Sequence, residues 1–180
     1  TGWITQGPRV AEFEEKFAAY TGAKYAVAVS NCTTALHLAM IVSGVGAGDE
    51  VICPSLSYIA TANCIKYTGA KPVFAEINPA NYNLDLNDVA RRITPKTKAI
   101  LLVHQIGMPA DIDAFKELAA KHNLKLIEDA ACAAGSSYKG AKIGSHSELV
   151  CFSFHPRKVI STGDGGMITT SNEAYYKRLK

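Results

Sequence analysis

The chain has 180 residues, of which 48% are hydrophobic and 19% are charged, a composition typical of a globular protein with a sizeable core. A formal net charge of +3, without a cluster of lysine or arginine, argues against a nucleic-acid partner. No apolar run approaches the length of a membrane span, so we expect no membrane partner either.

The five cysteines are odd in number and show no C-x-x-C spacing, which favours neither a zinc site nor a disulfide framework. Reduced thiols of this kind are typical of a cytoplasmic protein. The chain opens on Thr1 and stops inside a predicted helix, so we expect it to be a fragment of a longer protein. We expect the fragment itself to form one domain.

Apolar residues at helical spacing predict a first helix between Gly7 and Gly22. Strands and helices then alternate along the chain. We predict strands at 25–29, 49–53, 72–75, 99–103, 124–128 and 167–170, and helices at 33–43, 59–67, 86–93, 112–122 and 173–180. Near-continuous apolar strands between amphipathic helices indicate an α/β fold, with a mostly parallel central sheet covered by helices on both faces.

Ligands bind such sheets at the carboxyl ends of the strands, and the first two strand ends carry polar residues. Residues 30–34 open a helix, where free N–H groups can hold a phosphate. A simple helix cap formed by Ser30 or Thr33 explains the same residues. Tyr58 follows the next strand and either stacks on a flat ligand or packs half-buried on the core.

Two acidic residues, Glu128 and Asp129, end a later strand and are followed by very small residues. A buried carboxylate needs a partner, and we favour a ligand over a salt bridge to another strand. His104 also ends a strand, where it is either an acid/base group or, as we expect, a histidine satisfied by hydrogen bonds.

Lys158 lies on a predicted loop, since Pro156 cannot donate a backbone hydrogen bond. It follows Phe152, Ser153 and Phe154, and a glycine-rich turn at 163–166 comes after it. We expect the two phenylalanines to desolvate the amine and favour its nucleophilic form, although a solvated loop lysine is the simpler interpretation.

A phosphate cradle, an aromatic ring, a buried carboxylate and an isolated lysine are together what pyridoxal 5'-phosphate requires. The chain resembles the DegT/DnrJ/StrS family of sugar aminotransferases, which have the fold-type I architecture of aspartate aminotransferase. The resemblance runs through residues 2–8, 30–36, 48–52, 58–63 and 128–131, and is most specific in S-F-H-P-x-K followed by G-D-G-G at 153–166.

The resemblance implies a role for each candidate residue. Lys158 would be the Schiff-base lysine and proton shuttle, Asp129 would pair with the pyridine nitrogen, and Tyr58 would stack on the ring. Cys32 and Thr33 would hold the phosphate, and Ser153 would add a hydroxyl. Cys132 stands where glutamine is frequent, at a position that contacts the ring oxygen of the cofactor.

The resemblance also implies an activity and partners. The enzyme would move an amino group from an amino acid, glutamate by expectation, to a keto group of a nucleotide-activated sugar. Residues 1–180 would be the large cofactor-binding domain, a smaller C-terminal domain would be absent, and a homodimer would complete each active site.

Three other functions remain open at this point. A pyridoxal-phosphate sugar dehydratase is disfavoured because family members that dehydrate at carbon 3 have histidine in place of the lysine. A non-catalytic, cofactor-binding regulatory relative is the second. A doubly wound phosphate-binding protein without cofactor chemistry is the third.

Overall fold

The computed structural model describes residues 6–180, so the start of the motif at 2–8 lies outside the described residues. The strands are β1 Tyr25–Val29, β2 Glu50–Pro54, β3 Lys71–Ala75, β4 Thr97–Val103, β5 Lys125–Asp129, β6 Ser137–Tyr138, β7 Ala141–Lys142, β8 Leu149–Ser153 and β9 Gly166–Thr170. The helices are α1 Pro8–Thr21, α2 Cys32–Val42, α3 Ala60–Lys66, α4 Leu86–Arg92, α5 Ile112–Lys121 and α6 Glu173–Leu179.

Seven strands form one sheet in the order β1-β9-β8-β5-β4-β2-β3. Strands β3, β2, β4, β5 and β8 pair in parallel. Strand β9 runs antiparallel to both of its neighbours, β8 and β1. The predicted α/β fold with a mostly parallel sheet is confirmed, and β9 is the strand that departs from it.

Helices cover both faces of this sheet, which gives three layers. Phe17 of α1 and Phe115 of α5 belong to the buried cluster on one face. Leu36 of α2 and Ile65 of α3 belong to the cluster on the other face. Successive strand residues alternate between the two clusters, as the pleat of a strand requires.

The predicted elements match the observed ones to within two residues at each end. The apolar run before Lys158 forms β8, and the short hairpin β6–β7 was not predicted because its strands have two residues each. Pro72 lies inside β3, an edge strand, where a missing N–H is tolerated. Among residues 6–180, no helix has the length and apolar character needed to cross a membrane.

Candidate active site

The carboxyl ends of β2, β4, β5 and β8 surround a cavity of about 400 Å³, a size typical of small-molecule sites. All seven residues predicted from the sequence line it: Cys32, Thr33, Tyr58, Asp129, Cys132, Ser153 and Lys158. Other lining residues include His104, His155 and Arg157. The fold therefore brings together residues that lie up to 126 positions apart, from Cys32 to Lys158.

The amino terminus of α2 opens onto the cavity. Asn31 caps it, because its side chain accepts hydrogen bonds from the Thr34 backbone N–H at 2.9 Å and the Thr34 hydroxyl at 3.1 Å. The prediction of Ser30 or Thr33 as the cap is wrong; the Ser30 hydroxyl pairs with that of Thr34 at 3.0 Å. Because the Asn31 side chain bonds to the Thr34 N–H, the backbone N–H groups before Thr34 remain available to bind an anion.

The start of β9 lies directly against this helix terminus. A Cβ atom on Gly166 would lie 2.4 Å from the carbonyl carbon of Asn31 and 2.8 Å from the backbone nitrogen of Cys32. Both contacts are with backbone atoms, which cannot rotate away. Only glycine at position 166 allows β9 to lie this close to the amino terminus of α2, which opens onto the cavity.

Asp129 ends β5 with its carboxylate on the α2 and α3 side of the sheet. Its Oδ1 accepts from the Ala131 backbone N–H at 3.0 Å, and its Oδ2 accepts from the Thr61 hydroxyl at 3.4 Å. Burial raises the pKa of this carboxyl, and the Ala131 N–H opposes the rise. Within residues 6–180 no lysine, arginine or histidine forms a salt bridge with Asp129, so the salt-bridge alternative is wrong for this acid, whereas Glu128 pairs with His104 at the end of the neighbouring strand β4.

Glu128, the preceding residue, points to the opposite face. There the His104 Nε2 donates to its Oε2 at 2.8 Å, and both side chains are fully buried. The other ring nitrogen, Nδ1, accepts from the Ala110 backbone N–H at 3.2 Å, which places the ring proton on Nε2. The expected satisfied histidine is therefore what the structure shows.

Lys158 lies in a turn after β8, where its backbone N–H donates to the His155 carbonyl at 2.9 Å. Its Nζ atom donates to Cys132 Sγ at 3.2 Å. The amine and the thiol therefore meet inside the cavity, next to the end of β5.

The prediction that Phe152 and Phe154 desolvate this amine is wrong. The Phe152 ring packs edge-on against Phe17, with 5.0 Å between centroids, and the Phe154 ring lies 5.1 Å from that of Phe13. Both rings are buried in the cluster beneath α1. They anchor the β8 segment to the core, which positions the turn that carries Lys158.

Tyr58 is 73% exposed, so the alternative of a tyrosine half-packed on the core is wrong. Its ring lines the cavity from the loop that precedes α3. Sequence reasoning missed Thr61 and Arg157 in this region. Thr61 lies four residues after Ser57, and the two hydroxyl oxygens are 2.7 Å apart. This helical spacing of two hydroxyl residues is the sequence pattern that could have identified Thr61.

These donors fit pyridoxal phosphate. The first turn of α2 and the Ser153 hydroxyl can hold a phosphate, and Asp129, buried and without a cation, can hold a protonated ring nitrogen. Lys158 supplies a primary amine in the same cavity. Among the residues that the structure describes, no group of three metal-ligating side chains could hold a metal ion.

Comparison with known proteins identifies the family. The family model described as the DegT/DnrJ/EryC1/StrS aminotransferase family matches residues 1–180. The chain belongs to this family, as the sequence motifs indicated.

Relatives and solved structures agree. The chain is 51% identical to the GDP-perosamine synthase of Caulobacter vibrioides, covering 100% of this chain and 49% of that protein. It superposes on DesV of S. venezuelae, solved with a ketimine intermediate, with a TM-score of 0.97 and 44% identity over 99% of this chain and 48% of that one. The PLP-form of Spr1654 from Streptococcus pneumoniae gives a TM-score of 0.95 at 33% identity, over 99% of this chain and 51% of that one. The chain thus spans about half the length of the relatives it matches.

Proposed function

With membership of this aminotransferase family as the premise, we propose that the intact protein is a pyridoxal-phosphate-dependent transaminase. It moves an amino group from an amino acid, glutamate in our proposal, to a keto group of a nucleotide-activated sugar. One observation carries the proposal: Lys158, Asp129 and the start of α2 line a single cavity of about 400 Å³. In this assignment residues 1–180 are the cofactor-binding domain.

The cofactor, when bound, supplies an aldehyde and a pyridinium ring that withdraws electrons from the substrate. The chain's own residues divide the work of holding it. Cys32 and Thr33, at the start of α2, hold the phosphate with Ser153, and the exposed ring of Tyr58 covers one face. Cys132 lies beside the Lys158 amine and would contact the polar edge of the cofactor ring.

Asp129 sets the charge of the site. Its carboxylate is buried and receives only neutral donors within residues 6–180, so a protonated ring nitrogen is the missing partner. A carboxylate in contact with a cation stabilises the protonated form of that cation, by about 1.4 kcal/mol for each pKa unit.

Lys158 is the residue that attaches the cofactor and moves the proton. Its Nζ is not held by a carboxylate among residues 6–180, because the structure gives it one hydrogen bond, to a thiol. A free amine at this point would hold and move the proton at Nζ while the cofactor supplied the electron sink.

The acceptor is proposed from the relatives. GDP-perosamine synthases from Caulobacter vibrioides and Escherichia coli O157:H7 are 51% and 46% identical to the chain, and their names specify an amino sugar on GDP. A nucleotide-activated keto sugar is therefore the acceptor class that we propose. The presence of Lys158 disfavours the dehydratase alternative.

The partner that we propose is a second copy of the protein. Large apolar side chains are exposed on the loops around the cavity after β2, β4 and β8: Leu56, Ile59, Ile106, Met108, Val159 and Ile160. An exposed apolar rim of this kind is typical of an interface. We also propose a cytoplasmic location, which the five unpaired cysteines support. Sedimentation of the intact protein tests the dimer, and a monomer mass would contradict it.

Borohydride trapping tests the attachment residue. The intact protein is incubated with pyridoxal phosphate, reduced and digested, and we expect the added cofactor mass on the peptide that contains Lys158. Lys158→Ala should lose this label. Lys139→Ala, which removes a surface lysine paired with Asp113, should keep it. A label that persists in Lys158→Ala would contradict the assignment.

A second measurement separates an enzyme from a cofactor-binding relative. Glutamate added to the loaded protein should convert the cofactor to its amine form in stoichiometric amount, and a nucleotide keto sugar should convert it back. A protein that binds the cofactor and fails both conversions would be the regulatory relative. A protein that never binds it would be the phosphate-binding alternative.

A further inference from the structure

One cysteine differs from the other four in its surroundings. Cys32, Cys53, Cys64 and Cys151 are buried, whereas Cys132 is exposed. Burial raises the pKa of the Cys53 thiol to about 12 and raises the pKa values of the other three buried thiols as well. Since oxidants attack accessible thiolates, Cys132 is the position in the chain where they would act.

Cys132 is also in contact with an amine. Its Sγ accepts a hydrogen bond from Lys158 Nζ at 3.2 Å, so the two reactive atoms are already neighbours. The backbone of Cys132 is confined, because a Cβ atom on Gly107 would lie 2.7 Å from the Cys132 carbonyl oxygen. The turn that carries Lys158 is closed by its bond to the His155 carbonyl. Sulfur and nitrogen thus meet between two constrained segments.

We propose that Cys132 and Lys158 form an oxidation-sensitive pair that closes into a covalent sulfur–nitrogen bond. A hydroperoxide first oxidises the thiol to a sulfenic acid; two electrons pass from sulfur to the O–O bond, and an alcohol or water leaves. The neutral Lys158 amine then attacks the sulfur. The S–O bond breaks, the departing oxygen takes a proton from Nζ, and water leaves as the S–N bond forms.

A low-molecular-weight thiol reverses the bond. The thiol attacks Cys132 Sγ, the S–N bond breaks and the nitrogen takes the proton, which restores the Lys158 amine. A second thiol then releases Cys132 from the resulting mixed disulfide. The pair is therefore a reversible modification site, whereas further oxidation of the sulfenic acid to a sulfinic or sulfonic acid is irreversible.

The consequence for activity rests on the proposed function, because Lys158 is there the residue that attaches the cofactor. A nitrogen bound to sulfur cannot react with an aldehyde, so peroxide would block cofactor attachment at the same atom. Conversely, a cofactor already attached to Lys158 would withdraw the amine and prevent the S–N bond.

Mass spectrometry tests the bond directly. The intact protein, freed of cofactor, is treated with hydrogen peroxide and digested without reductant. We expect a cross-linked pair of peptides containing Cys132 and Lys158, lighter than their sum by two hydrogen atoms, that separates after dithiothreitol. Prior loading with pyridoxal phosphate should reduce its yield at least tenfold.

Three variants control the experiment. Cys132→Ser and Lys158→Ala should both abolish the cross-link, and Lys139→Ala should retain it. In Lys158→Ala the sulfenic acid has no amine to capture it, so dimedone should label Cys132. The proposal is overturned if peroxide leaves Cys132 no more modified than the buried cysteines, or oxidises it further while Lys158 stays free.

The same samples separate this inference from the function on which it depends. A cross-link in a protein whose Lys158 fails borohydride trapping would keep the pair and reject the transaminase assignment. Trapping on Lys158 without a cross-link would keep the transaminase and reject the pair.

Discussion

Strand β5 carries a buried carboxylate on each face, and the two are treated in opposite ways. Glu128 points into the layer of α1 and α5, where His104 donates to it at 2.8 Å and neither side chain reaches solvent. Asp129 points into the cavity, where Thr61 and Ala131 give it neutral donors and no salt bridge forms within residues 6–180.

In the proposed function, the difference separates a structural acid from one kept for a ligand. A buried carboxylate that lacks a strong partner costs free energy, so a fold that gives Glu128 a histidine partner at one oxygen could give its neighbour one too. The absence of a protein cation at Asp129 among residues 6–180 is explained if a bound cationic ligand pairs with this carboxylate. Mutations on the two faces should therefore have different effects. A mutation at the Glu128 pair should lower stability, and a mutation at Asp129 should lower activity.

The largest effect is expected on the closed face. His104→Ala removes a fully buried ring and leaves Glu128 without its donor, and it should lower the free energy of unfolding by about 3–5 kcal/mol. Urea unfolding of the intact protein measures this. Adding Glu128→Gln in the same background replaces the acid with a neutral amide and should recover part of the loss. A loss below about 1 kcal/mol in His104→Ala would show that the pair is not structural.

On the open face, Asp129→Asn should act on turnover. It keeps the shape of the side chain and removes the charge that, in the proposed function, pairs with the cofactor, so glutamate-dependent turnover should fall roughly 10²–10³-fold. The fold should be at least as stable as that of the wild type. Asp113→Asn, a change to an exposed acid, is the matched control and should leave turnover unchanged. Wild-type turnover in Asp129→Asn would contradict the claim that Asp129, unlike Glu128, is needed for activity.

A smaller effect is expected at the edge of the open face. Gly166→Ala places a methyl group against the backbone of Asn31 and Cys32 and must displace the start of α2. We expect a loss of about 1–3 kcal/mol in stability and weaker binding of pyridoxal phosphate, measured by absorbance titration. A Cβ atom on Gly46 would meet nothing within 4 Å, so Gly46→Ala should change neither quantity.

The smallest effect is a dependence on pH. Burial raises the pKa of Asp129, so the folded state binds that proton more tightly than the unfolded chain does. The stability that this provides is complete below the ordinary value of 3.8 and is lost as the pH rises through the raised pKa. Relative to wild type, cofactor-free Asp129→Asn should therefore gain stability with rising pH. Unfolding midpoints measured across the pH range would contradict this if their difference stayed constant.

Much of the fold and of the candidate site was predictable because it depends on local pattern. The alternation of apolar strands and amphipathic helices locates the carboxyl ends of the strands. The polar residues that follow those ends, such as Asp129 and Lys158, then converge because parallel strands end on the same edge of the sheet.

The features that were missed depend on side-chain direction and on distant partners. Ser30, Asn31 and Thr33 can all cap a helix, and only the backbone angles at Asn31 decide among them. Phe152 stands six residues before Lys158 yet faces the other side of the sheet, against α1. Sequence distance carries no information about which face a residue occupies once the strand has ended.

The alternation along β5 also sets a limit on insertions and deletions. Helix α5 ends at Lys121 and β5 begins at Lys125, and Asn123 between them has a φ of 54°. Removing one residue from this connection and sliding β5 by one position would carry Asp129 into the core and bring Glu128 to the cavity. A change of length here would thus exchange the two acids without altering either of them, so the connection before β5 should tolerate substitution far better than a gain or loss of a residue.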